Sequence, residues 1–185
     1  MKKLLKYWFI LIPVLAMIIF IIIAGLIQNE EQVKEEKTKE FTTKDSRVTF
    51  TALESYKQEE KGEYDLYINK NNKQILRVYT YNLSDYEENS SKEILDHTVN
   101  SFISTKEDMK LFKKESKVEF DDKIITTVEY SGKQKDSSNC VYIFSTIDFK
   151  ADTNYVVYVS EVILENKFEE HIGEMINILN SAKLN

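Results

Sequence analysis

The 185-residue sequence predicts an α+β protein: an N-terminal transmembrane helix, then one domain with an antiparallel sheet of about six or seven strands packed by two helices. Three observations carry this. Residues 7–27, YWFILIPVLAMIIFIIIAGLI, hold no charge over 21 positions. Beyond them, strand-like runs follow one another as hairpins, with period-2 alternation or continuous apolar character. Only two stretches show helical periodicity, and adjacent strands with few helices favour an antiparallel sheet with helices laid on it.

The uncharged run comes first. At about 1.5 Å per residue it is long enough to cross a hydrocarbon core of roughly 30 Å. Lys2, Lys3 and Lys6 precede it, and the first charges beyond it are Glu30 and Glu31. Positive charge stays cytoplasmic, so residues 1–6 are expected inside and the C-terminal bulk outside the cell membrane. Tyr7 and Trp8 stand where amphipathic rings favour the headgroup layer, and Pro13 is tolerated in a membrane helix. A cleaved signal peptide is the alternative. The run exceeds the usual hydrophobic region of one, and Leu26 and Ile27 spoil the small-residue cut pattern around Ala24 and Gly25. Both readings give an extracytoplasmic domain.

Residues 28–46 are charged and almost without apolar side chains, the composition of a linker or frayed helix holding residues 47–185 off the membrane. Residues 47–53 place Val48, Phe50 and Ala52 on one face of a first strand. Residues 64–82 form a hairpin around Asn71 and Asn72, residues that tolerate the positive φ of tight turns. Residues 90–105 form a helix capped by Ser90, with Glu93 at capping-box spacing and Ile94, Leu95, Val99, Phe102 and Ile103 on one face. A second hairpin spans 109–130 with its turn at Asp121 and Asp122, and Ser131 and Gly132 open a polar loop. A third joins 141–149 to 155–164, whose continuous apolar character fits central strands covered on both faces. The last helix is capped by Asn166 and carries Phe168, Ile172, Met175, Ile176 and Leu179 as a stripe.

That order of elements over residues 47–185, with the closing FEEHIGEMINILNSAKL, resembles the PsbP-like fold family, named for an extrinsic subunit of photosystem II. Its bacterial members include small exported or membrane-tethered domains. The resemblance implies a binding or assembly module, and no functional residue of the family maps onto a motif here.

Composition and motifs narrow the function. After residue 27 there are 22 basic and 31 acidic residues, a net charge near −9, which repels phosphate backbones and argues against nucleic acid as a partner. The single cysteine, Cys140, forms no intrachain disulfide and reads as a strand-end or core residue. His97 and His171 belong to no metal-ligand spacing and read as surface or boundary residues. Gly25, Gly62, Gly132 and Gly173 stand alone, so no phosphate-cradling loop is encoded, and there is no GxSxG. Asp121 with Asp122, or Glu59, Glu60 and Glu63, could hold a cation weakly, but neither cluster has the spacing of a calcium loop. No catalytic, cofactor or metal site is therefore assigned, and the chain reads as non-enzymatic. Tyr64, Tyr67, Tyr79, Tyr81, Tyr142, Tyr155 and Tyr158 fall in predicted strands. They are either cross-strand packing or, on an exposed sheet face, a surface for an envelope protein partner. The sequence thus predicts a membrane-anchored extracytoplasmic binding or assembly module; an extracytoplasmic sensor of a small ligand or cation is the alternative.

Overall fold

A computed structural model describes residues 36–185, apart from 72, 73, 88, 107, 135 and 136. The basic stub, the apolar run of residues 7–27 and the start of the linker lie outside the described residues. Among the described residues no helix is long and apolar enough to cross a membrane.

The strands divide into two antiparallel sheets where the sequence predicts one. A seven-stranded sheet has the order β3(Lys57–Gln58), β4(Leu66–Lys70), β5(Gln74–Asn82), β9(Tyr155–Leu164), β8(Asn139–Phe149), β7(Lys123–Lys133), β6(Lys110–Glu119). A three-stranded sheet has the order β1(Thr38–Thr42), β2(Val48–Leu53), β10(Lys183–Leu184). Helix α1 is Ser91–Ser104 and α2 is Phe168–Asn180.

β1 corrects the linker reading: Thr38–Thr42 pairs with β2 from Thr38↔Leu53 to Thr42↔Thr49. Its sequence, TKEFT, hides the strand because Phe41 is its one buried side chain. The hairpins otherwise follow the expectation. Asn71 adopts φ 56°, the left-handed conformation of the β4–β5 turn. β8 and β9 are central and buried along nearly their whole length, so both faces carry apolar side chains. Ser131 and Gly132 are not turn residues: β7 continues to Lys133, and beyond it Gln134 N donates to the Ser138 carbonyl at 2.9 Å. A Cβ at Gly132 would sit 2.2 Å from Met109 Sδ, so the absent side chain leaves room for the methionine.

Alternation assigns each large-sheet residue to a face. One face, carrying Ile68, Leu76, Val78, Ile143, Val157, Val159 and Ile163, packs against the small sheet and α2. The other, carrying Tyr142, Phe144, Val156, Tyr158 and Val162, packs against α1. Ser90 caps α1 as predicted, its Oγ accepting from Glu93 N at 3.3 Å. Glu93 reciprocates one residue early, accepting from Asn89 N at 2.7 Å. α2 departs from expectation at its start: a 3-10 turn, Glu165–Lys167, feeds it, and Asn166 makes no cap. Its buried stripe is Met175, Ile178 and Leu179; Ile176 is 44% exposed.

Candidate functional site: a tyrosine-lined cleft

Helix α1 lies on β8 and β9 through Ile94, Leu95, Val99 and Phe102. It leaves the same face of β5 only partly covered. Between the helix flank and this open half of the sheet runs a cleft of about 850 Å³.

Its floor is built by period-2 alternation and cross-strand register. On β5, Ile75, Arg77, Tyr79 and Tyr81 point to the α1 side. Opposite them on β9 stand Val162 against Ile75, Ser160 against Arg77 and Tyr158 against Tyr79. Tyr142, one strand further, closes one end, its hydroxyl donating to the Lys133 carbonyl at 3.2 Å. The helix supplies a wall of Thr98, Ser101, Phe102 and Thr105, with Lys106 just beyond. Thr98, Ser101 and Thr105 recur at helical spacing and form a small polar stripe beside the apolar one.

The rings form a connected series. Tyr67 and Tyr64 have centroids 5.5 Å apart, Tyr64 and Tyr79 5.2 Å, and Tyr79 and Tyr158 5.9 Å. These are favourable aromatic separations, so the rings are held in place by one another. Burial raises the hydroxyl pKa of Tyr79 and of Tyr158 above the ordinary value, with neighbouring tyrosines adding to the effect. Both hydroxyls are therefore protonated donors at neutral pH. Burial also raises Tyr64, with Glu63 beside it at the rim.

Arg77 stands half-buried on the floor, its guanidinium 6.0 Å from the Tyr67 ring centroid. Among the described residues it makes no ion pair, and no Asp or Glu among them lines the cleft. Lys106 lies over Phe102 at 5.3 Å from the ring centroid.

Of the seven predicted tyrosines, the structure brings Tyr64, Tyr79, Tyr81, Tyr142 and Tyr158 into the cleft, with Tyr67 packed behind Tyr64. Tyr155 has the opposite parity and belongs to the other face. It is buried, donates to Asp45 Oδ2 at 2.5 Å, and lies under the Arg47 guanidinium at 3.8 Å. It joins the small-sheet region to β9 and is buried on the core face, not on an open sheet face. Sequence reasoning missed Arg77, Lys106 and the polar stripe of α1. The signal for Arg77 was its place in the alternation Ile75, Arg77, Tyr79, Tyr81.

The other candidate residues are scattered. His97 is exposed on α1 and His171 is partly buried beside Glu170. Cys140 is a buried thiol in the α1-side core. Asp121 and Asp122 form the β6–β7 turn, and Glu59 engages Asn69 and Lys61. Among the described residues no group of three His, Cys, Asp or Glu side chains is placed to hold a metal ion.

One further ionisable group is buried under α2. Glu161, 1% exposed, sits on β9 between Leu76 and Ile143 with neither carboxylate oxygen hydrogen-bonded. Glu129 lies one strand beyond Ile143, with Lys113 Nζ at 3.7 Å from one of its oxygens. Burial, then the Glu129 charge, pushes the Glu161 carboxyl well above the usual range. Tyr56, whose hydroxyl reaches Met175 Sδ at 3.5 Å, is raised by burial and by Glu174 and Glu161.

No protein-family profile matches the chain, and no curated protein matches it. Solved structures do. The chain is similar to the cyanobacterial PsbP protein CyanoP from Synechocystis sp. PCC 6803, with a TM-score of 0.58 and 11% identity over 83% of this chain and 96% of that one. It is similar to LpqN of Mycobacterium tuberculosis, described as involved in cell envelope biogenesis, with a TM-score of 0.57 and 7% identity over 80% and 91%. The Saccharomyces cerevisiae Ran-binding protein Mog1p gives a TM-score of 0.53 and 10% identity over 80% and 96%. The chain has the PsbP-like fold.

Proposed function

We propose that this chain is a membrane-anchored, extracytoplasmic and non-enzymatic binding module of the cell envelope, and that the tyrosine-lined cleft is where it binds. One observation carries the reading: α1 leaves half of an aromatic sheet face uncovered, and the rings there already pack against one another. A rigid, amphipathic surface loses little entropy when it binds. The apolar run of residues 7–27, after its three lysines, supports the anchor and its orientation. The description of LpqN supports an envelope role, and that of Mog1p supports this fold as a binding scaffold.

The second reading, a small-ligand sensor, is favoured by the size of the cleft, which falls within the roughly 300–1,000 Å³ of small-molecule sites.

The test is affinity purification of the full-length chain, tagged at its C-terminus, from gently solubilised membranes after brief crosslinking. A stoichiometric envelope component is expected with the native chain and lost with the Tyr79→Ala/Tyr81→Ala variant. Undiminished recovery of that component by a folded variant would place the binding surface elsewhere.

A further inference from the structure

The described residues lining the cleft carry charge of one sign within a chain of the other, with Glu63 beside Tyr64 at the rim. The sequence after residue 27 has a net charge near −9. Yet the described residues lining the cleft include Arg77 and Lys106 and no carboxylate. We propose that the cleft binds a small organic anion: a carboxylate or phosphate ester joined to a ring or short apolar body. Arg77 and Lys106 hold the anionic group, and the rings of Tyr64, Tyr79 and Tyr158 carry the body. This rests on the reading of the cleft as the binding site and names what enters it.

Arg77 carries most of the argument. A half-buried guanidinium has given up part of its hydration, and among the described residues no carboxylate lies within ion-pair distance of it. Its planar fork suits two oxygens of one carboxylate or phosphate. A volume of about 850 Å³ has room for a ring or short apolar body beside the anionic group, in the size range of small-molecule sites. A cationic ligand would gain from the tyrosine faces, but it would meet Arg77 and Lys106 at short range. The net negative charge of the surroundings disfavours a polyanion, whose remaining charges would have to lie against that surface.

The experiment uses the full-length chain with its tyrosine rings ¹³C-labelled. The probes share one ring system: naphthalene-1-acetate, 1-naphthyl phosphate, and the neutral naphthalene-1-acetamide. Binding is read by calorimetry and location by ring resonances of Tyr79 and Tyr158. At least one anion is expected to bind about tenfold tighter than the acetamide and to shift both resonances. The stronger anion identifies the head group. In Arg77→Gln the preference for the anion should fall several-fold while acetamide affinity holds. Lys106→Gln, at the helix end, should give a smaller loss and keeps the test decisive if Arg77→Gln fails to fold. Equal affinities for anions and acetamide, with both resonances shifting, would overturn the anion assignment and leave the cleft as a binding site. No tyrosine shift with any probe would overturn both.

Discussion

At the scale of single residues, Glu161 stands against the rest of the core. Its two carboxylate oxygens are buried without hydrogen bonds, and an unsatisfied buried polar group costs about 1–3 kcal/mol. Glu161→Met should therefore raise stability by roughly that amount. The pH dependence has a definite sign. Burial and Glu129 raise the folded-state pKa of Glu161 above its unfolded value, so between the two values the folded chain holds more protons. The stability associated with this group is fully present below the ordinary glutamate pKa, near 4.5, and is lost as pH rises toward the raised folded value. The stability difference between Glu161→Gln and the native chain should accordingly grow in favour of glutamine as pH rises above about 4.5. Urea unfolding across pH 4 to about 8 measures it. A difference that stays constant or changes the other way would show that Glu161 is solvated or paired in the folded chain. The tyrosines show what can be read at this scale. Tyr79, Tyr81 and Tyr67 are visible as strand residues, and their alternation is enough to put Tyr79 and Tyr81 on one face. That Tyr155 and Tyr158 face opposite ways follows from parity along β9. Which way each faces does not, because both are buried against apolar layers.

At the scale of elements, legibility follows burial. β8 and β9 are visible because their side chains pack on two faces and must be apolar, and β5 because its buried residues alternate with partly exposed ones. β1, β3 and β10 are not: TKEFT, KQ and KL are held by pairing with a neighbour, and backbone hydrogen bonds leave no trace in composition. β6 is exposed along its whole length, and Lys110, Lys113, Lys114 and Lys117 supply the charge that keeps an open sheet edge from pairing with another chain. Helix α2 is visible as a helix but is rotated slightly from the predicted stripe, bringing Ile178 in and turning Ile176 out. Both positions satisfy helical periodicity beside Met175 and Leu179, so only the packing partner decides between them. Ile178→Ala should cost about 2–5 kcal/mol through the cavity left behind. Ile176→Ala should stay within about 0.5 kcal/mol. Paired denaturant melts read the contrast, and comparable losses at the two sites would mean that α2 docks in the predicted register.

At the scale of the whole molecule, the fold divides its duties between two faces of one sheet. One face is sealed by α2 and the small sheet and supplies most of the core. The other is half covered by α1, and the uncovered half is the cleft. Of the tyrosines at that site, Tyr79 and Tyr81 alternate in β5, whereas Tyr64 stands before β4, outside the strand, and the facing of Tyr142 and Tyr158 is not set by their buried strands. Its cations and its helix wall were not legible. They require knowing that β5 pairs with β9, about 80 residues away, and that α1 sits over β8 and β9 and not over β5. The proposed anchor belongs to this scale too: if residues 7–27 tether the domain, its cleft meets other envelope components at high effective concentration. The most direct test places a photo-crosslinking amino acid, p-benzoylphenylalanine, at one position per chain in living cells. Tyr81 and Thr105 sit on the two walls of the cleft, and Ile176 is exposed on α2, across the sheet. The account predicts one common adduct from Tyr81 and Thr105 and none from Ile176. The same adduct from Ile176, or none from either cleft position in a folded, membrane-bound chain, would contradict the cleft as the binding site.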